Sequence, residues 1–411
     1  MPAYSGKFQY LDEAGATLQQ GPCQVSIGED GACIVTPAGG TPLAFDLGDV
    51  DRIAPGEWDL QLFLYTGRTL VLQQFGAAFS HLAGDLLAAW RDRTVQCLLL
   101  EDMQEIDRYT GAANGVPAEL RLFRSNLAIL PQSGMPLQWR LAELDSCDFD
   151  DGAYSIVLES GGERLVLSKL ARKTDEAFGK LRTATEALHT HTASALRGLF
   201  PFLNADALQR LQQAMPEGRS CAISTLAAIH PGLPEAMHGK AVGETLAPYL
   251  EELAARAVAP PFVGFKFTAG LDPDAEGESD DAAEGAVEST PENAGEGEGP
   301  QIFFWYFYPL RNNLVAWEAT TGTGRATYFF RYQGPLDAAI ARITRGLALV
   351  NFRREPVYLP DASLQQQPRY ARYAIGARKL PDLRALRGAY AGRAIHSSLE
   401  NWKAQVDSAT V

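Results

Sequence analysis

Residues 37–50, PAGGTPLAFDLGDV, return 94 positions later (131 − 37 = 94) as PQSGMPLQWRLAEL at residues 131–144. This offset puts Pro37 on Pro131, Gly40 on Gly134, Pro42 on Pro136, Leu43 on Leu137 and Leu47 on Leu141, with Phe45 on Trp139 and Val50 on Leu144. The register runs on through Asp51 on Asp145, Leu64 on Leu158 and Gly67 on Gly161; after one inserted residue, Leu70-Val71-Leu72 meets Leu165-Val166-Leu167. Recurrence at a fixed period marks a duplicated structural unit. The first half of the chain therefore reads as one module used twice, with the second copy beginning near Gly115 and the joint between Tyr109 and Gly115.

The residue pattern inside each copy is that of short antiparallel strands. Leu43, Phe45 and Leu47 alternate with Ala44 and Asp46, as do Leu60, Leu62 and Leu64 with their neighbours, which is the period-two signature of half-buried strands. Cys23–Ile27 and Ala32–Thr36 flank Gly28-Glu29-Asp30-Gly31, a hairpin connection in which glycine supplies positive φ. After the last strand the period becomes helical: Phe79, Leu82, Leu86, Leu87 and Trp90 form one apolar face, and Phe178, Leu181 and Leu188 repeat it in the second copy.

Strands closed by one C-terminal helix resemble the pleckstrin-homology-like superfold, including bacterial PH and GRAM-like modules. The resemblance covers residues 1–108 and 115–195. It implies two tandem barrels, each plugged by its helix, and a binding role, since this superfold hosts lipid, phosphopeptide and protein recognition. In lipid-binding members the first loop is basic. Here Leu11-Asp12-Glu13-Ala14-Gly15-Ala16-Thr17 carries two acids and no base, which disfavours phosphoinositide.

Beyond the repeat the expected fold class is α+β. Residues 196–258 read as a helical segment, and Asn204 offers N-cap chemistry. Residues 259–352 read as a smaller antiparallel α+β domain, with strands at Phe262–Thr268, Ile302–Tyr308, Leu314–Thr320 and Ala326–Tyr332 and a helix at Leu336–Val350. Residues 353–411 read as a basic helical extension whose last helix spans Pro381–Lys403. The segment 272–300 is almost pure Asp, Glu, Gly, Ala and Ser, a composition that cannot bury enough apolar area to offset its ordering entropy, so it is expected to be a disordered insertion.

Charge is segregated. The net charge is −14; residues 272–298 hold 11 acids and no base, and residues 301–411 hold 15 Lys or Arg against 7 Asp or Glu, a net of +8, leaving −14 + 11 − 8 = −11 for the rest. A negative total argues against chain-wide affinity for nucleic acid or anionic lipid. No run of about 18 apolar residues and no charged leader with an apolar core exists, so neither membrane insertion nor secretion is expected. Five scattered cysteines without CxxC spacing fit a cytoplasmic chain with no disulfide or zinc framework.

Catalytic signals are weak. His189 and His191 lie two apart on a helix and point roughly 200° apart. Ser220, Cys221 and Ser224 are outside any GxSxG elbow, and His81, His230, His238 and His396 show no partner pattern. Asp148, Asp150 and Asp151 lack EF-hand spacing, and Thr321-Gly322-Thr323-Gly324-Arg325 lacks the P-loop lysine. No catalytic, metal or cofactor site is assigned.

The candidate partner-binding residues are Arg342, Arg345, Arg353, Arg354, Arg369, Arg372 and Arg378, with Tyr370 and Tyr373 interleaved, and Trp305 in the aromatic run Phe303–Tyr308. In a strand that run has apolar side chains on both faces, and both want cover. The expected function is that of a non-enzymatic adaptor or scaffold binding protein partners through the tandem modules. Rival readings are binding of nucleic acid or of a basic protein through the segregated charges, and an enzyme site in the C-terminal half. The acidic insertion is also expected to compete with anionic partners for the basic tail.

Overall fold

A computed structural model describes residues 3–28, 31–132, 134–243, 245–268, 301–320 and 326–410. The chain is mixed α and β with antiparallel sheets, one of them curled as a half-barrel. It divides into two compact units: residues 1–141, 146–181 and 359–381 form the first, and residues 142–145, 182–358 and 382–411 form the second. The expected disordered insertion, and its competition with anionic partners, lie outside the described residues.

The first unit holds the duplication. Strands β1 (Ala3–Leu11), β2 (Thr17–Ile27), β3 (Ala32–Pro37), β4 (Leu43–Asp46), β5 (Val50–Pro55), β6 (Asp59–Leu64) and β7 (Thr69–Gln73) are followed by helix α1 (Phe79–Gln96). Then β8 (Glu105–Ala113), β9 (Val116–Phe123), β10 (Asn126–Pro131), β11 (Leu137–Arg140), β12 (Ser146–Asp150), β13 (Ser155–Ser160) and β14 (Glu163–Ser168) lead into α2 (Thr174–Leu199). Both sheets share one strand order, β4-β3-β2-β1-β7-β6-β5 and β11-β10-β9-β8-β14-β13-β12. The offset of 94 carries β3 onto β10, β4 onto β11 and the 3-10 turn Leu47–Asp49 onto Leu141–Glu143.

Two details of the repeat differ from the sequence reading. The second copy starts at Glu105, because β8 is its first strand and Asn114-Gly115 is the two-residue turn that folds β8 onto β9. Both turn residues have positive φ, +48° and +83°, the geometry that Asn-Gly supplies in a hairpin. The alignment also slips by two residues in the sixth strand: Leu62 pairs Leu70 and Leu158 pairs Leu165, so the counterpart of Leu158 is Leu62 rather than Leu64.

Alternating residues build each interior. Val25, Val35, Leu60, Leu62, Leu70 and Leu72 are fully buried beneath Leu82 and Leu86 of α1. Arg121 of β9, itself buried, bonds Asp92 of α1 and Glu119, each at 2.6 Å. A buried guanidinium needs paired carboxylates, and this one has them from both copies.

The second unit is built on a six-stranded antiparallel sheet. Helix α3 (Ala205–Ala214) is capped by Asn204, whose side chain accepts from the Ala207 amide at 2.8 Å. β15 (Ser220–Ala222), α4 (Ile223–Ile229), α5 (Leu233–Ala241), α6 (Ala247–Arg256), β16 (Phe262–Thr268), β17 (Gln301–Leu310), β18 (Leu314–Ala319), β19 (Ala326–Arg331), α7 (Leu336–Leu349) and α8 (Glu355–Tyr358) follow. Next come α9 (Asp361–Gln366) and α10 (Ala371–Lys379), which belong to the first unit, and then α11 (Pro381–Ala389), β20 (Tyr390–Ile395) and α12 (Leu399–Thr410). The sheet order is β15-β16-β17-β18-β19-β20. The segment read as wholly helical thus contributes edge strand β15, and the expected last helix is broken by β20, whose Ala394 is buried and pairs Thr327.

One face of this sheet, with Phe265, Phe304, Tyr306, Tyr308 and Phe329, shares a core with α3 to α6 and α12. On β17 the intervening side chain Trp305 lies 4.2 Å from Phe352 by ring centroids, just beyond α7, and donates its indole N–H to Ser220 Oγ at 2.8 Å. Both faces are covered, as the aromatic run requires.

Candidate binding surfaces

The repeat places two exposed aromatic side chains at equivalent points. Because Leu60 and Ile156 occupy matching register positions, opposite Leu72 and Leu167, Trp58 just before β6 corresponds to Tyr154 just before β13. Trp58 is 69% exposed and Tyr154 46%. Each sits at the tip of the hairpin formed by the edge strand of its sheet. Tyr154 adopts φ +48°, a left-handed conformation that favours Gly or Asn over a bulky residue. Its ring meets Phe149 edge-on at 5.6 Å, and Phe149 rests on Phe178 of α2. Carboxylates flank both tips: Glu57 beside Trp58, and Asp148, Asp150 and Asp151 beside Tyr154, all exposed. Asp150 Oδ1 accepts from the Gly152 and Ala153 amides at 3.0 Å, the local turn bonding expected of aspartate there. In the first loop, Asp12 Oδ1 likewise accepts from Ala14 and Ala16.

The predicted arginines are divided between the two units. Arg369, Arg372 and Arg378 fall in the first unit, and Arg342, Arg345, Arg353 and Arg354 in the second. Arg378 is used inside the fold: it pairs with Asp49 and stacks on Tyr65 at 3.9 Å. Beside it Lys379, buried, donates to the Val50 carbonyl at 2.8 Å, and burial lowers the pKa of its ammonium. Burial also raises Asp49, against the pull of Arg378. Arg369 and Arg372 lie over Tyr370 and Tyr373 at 4.7 and 5.2 Å, so these tyrosine faces are already occupied. Arg345 reaches Asp382 at 3.4 Å. Arg353 and Arg354 are half-buried, and Arg354 acts on the phenol of Tyr328. Trp305, expected to face a partner, has no exposed surface, because β17 is an interior strand covered on both sides.

Arg342, of the predicted set, lines a cleft in the second unit. Helices α7 and α11 touch at Gly346, where a Cβ would lie 2.7 Å from Leu386 Cβ, and the space beyond that crossing opens to about 530 Å3. Ala339, Ile343 and Leu386 line it together with Arg331, Arg342, Asn312, Asn313 and Gln333. Asn312 and Asn313 belong to the turn between β17 and β18 and have φ of +58° and +52°. None of the described residues lining the cleft is acidic, and neither Arg331 nor Arg342 is ion-paired among the described residues.

A buried polar cluster lies elsewhere in the second unit. Thr327 Oγ1 donates to Glu318 Oε2 at 2.5 Å and accepts from the Trp402 indole at 2.9 Å, with His396 Nε2 at 3.1 Å and Tyr249 stacked on the imidazole at 4.0 Å. Burial raises the thiols of Cys33 and Cys97 to about 12 and about 11. No group of His, Cys, Asp and Glu among the described residues is arranged to hold a metal ion, and no described helix is long and apolar enough to cross a membrane.

Sequence reading missed Trp58, Tyr154, Arg331 and the Asn312-Asn313 turn. The first two needed the correct register of the repeat, and the others become neighbours of Arg342 only through the fold. Comparison with protein-family models and with curated proteins finds no match.

Proposed function

We propose that the protein is a non-enzymatic cytoplasmic adaptor whose two copies are pleckstrin-homology-like modules that bind a protein partner through their edge hairpins. The carrying observation is the matched exposure of Trp58 and Tyr154. Trp and Tyr are the side chains that most often anchor protein interfaces, because they bury large area at little entropic cost. Tyr154 holds a left-handed conformation, which is strained for a bulky residue, and still leaves 46% of its surface in solvent. The acidic flanks favour a partner with a basic face. Seven strands closed by a helix, in the same order twice, support the family resemblance.

The test is affinity capture from a lysate of the source organism, using the full chain and a Trp58→Ser/Tyr154→Ser variant. A protein retained by the parent and lost by the variant, at unchanged thermal midpoint, is the expected result. Equal retention by both would refute the reading, as would turnover of a small substrate that the variant leaves intact.

A further inference from the structure

We infer that the cleft between α7, α11 and the β17–β18 turn binds a small organic anion, an apolar body carrying one carboxylate or phosphate group. The inference is independent of the hairpin tips. The volume of about 530 Å3 lies within the range of small-molecule sites, ~300–1,000 Å3. Its composition has two parts. Its floor is apolar, formed by the buried Ala339, Ile343 and Leu386 together with Ala385 and Ala389, which keep accessible surface. Arg331 from the end of β19 and Arg342 from α7 are exposed guanidiniums on its walls, with the amides of Asn313 and Gln333 as further donors.

Within residues 301–411, where 15 Lys or Arg stand against 7 Asp or Glu, Arg331 and Arg342 line one cleft without an acid among the described lining residues. Arg345 and Arg256, also of the second unit, are by contrast paired, with Asp382 and Asp407. Guanidinium forks match the paired oxygens of carboxylate or phosphate. An inorganic ion would satisfy them but leave the floor uncovered; an apolar body attached to the anion covers it.

Titration of the full chain with anilinonaphthalene sulfonate, an aromatic anion whose fluorescence rises on burial, tests the site. One saturable phase is expected, weakened about tenfold by Arg331→Gln and again by Arg342→Gln. The neutral analogue phenylnaphthylamine should bind at least about tenfold more weakly than the sulfonate, the factor expected for one lost charge-assisted contact. Phenyl phosphate should displace the probe at lower concentration than inorganic phosphate does. Both arginines are exposed, so the variants should keep the parent thermal midpoint; Arg331→Lys, which keeps charge but loses the fork, should fall between parent and Gln. Unchanged affinity in the double variant overturns the site, and equal displacement by the two phosphates overturns the organic-anion assignment.

Discussion

Replacing Thr327 by valine keeps the shape of a fully buried side chain and removes one hydroxyl that touches three partners, Glu318, Trp402 and His396. The indole N–H of Trp402 loses its acceptor at 2.9 Å, and Glu318 Oε2 loses a donor at 2.5 Å; both side chains are essentially buried. An orphaned buried neutral donor costs about 1–2 kcal/mol and the loss of one contact by Glu318 Oε2, which keeps His396 Nε2 at 3.3 Å, about 1, while the extra buried methyl returns under about 1, giving a net loss of about 2 kcal/mol. Thr327→Ser keeps the hydroxyl and leaves a methyl-sized void, so it should cost only about 1 kcal/mol. Native-state hydrogen exchange, followed in peptides covering β19 and α12, reads the loss where it occurs. Urea unfolding of the same variants gives the global value. If valine proves as stable as threonine, or if serine costs more than valine, hydrogen bonding by Thr327 is not what holds this cluster.

Three further outcomes follow from the geometry. Gly264→Ala would put a Cβ 2.3 Å from Trp305 Cζ2, forcing a buried indole to move; a loss of about 2–3 kcal/mol and a changed near-UV dichroism band are expected. Lys180 holds the Asp107 carboxyl well below the usual carboxylate range, so its stabilisation is present above that range and is lost as pH falls. Asp107→Asn should therefore lower the thermal midpoint near pH 7 and flatten its decline towards acid. Arg378→Met leaves Asp49 partly buried without its partner. Because burial already raises this carboxyl, the penalty of about 1–3 kcal/mol should be full at neutral pH and shrink as acidification protonates Asp49, which a midpoint series against pH would check.

Much of the fold was legible because it rests on short-range periodicity. The Pro-Gly-Pro spacing located β3 and β4 of both copies, although Leu47 of the expected strand lies in the 3-10 turn, and alternation located β16 to β19 to within two residues at either end. Asn114-Gly115 carried a clear hairpin signal, yet a joint was placed there, because the offset of 94 fails upstream, where β2 has 11 residues and β9 only 8. Strand β20 was masked by helix formers, since Leu, Arg and Ala stand on both sides of Gly388 and Gly392, and the pairing of Tyr390 to Ile395 with β19 extends that edge. Trp305 was legible as core from its own alternation. The cleft was not, since Asn312, Arg331 and Arg342 share no spacing and are gathered only by the turn, the strand end and the helix that carry them.

The contact between Arg378 and Asp49 spans 329 residues of chain. At synthesis rates of about 5–20 residues per second, Asp49 leaves the ribosome roughly 15–65 s before the arginine that will pair with it. Through that interval the face around Gly48, against which Ile375 later packs, stands uncovered, and the Val50 carbonyl has the Trp90 indole of its own copy but not yet Lys379. The first copy must therefore hold its shape as an unfinished piece while nearly the whole remaining chain is made. Variants that weaken α10 should for that reason lower the yield of newly made protein more than they lower the stability of protein already folded.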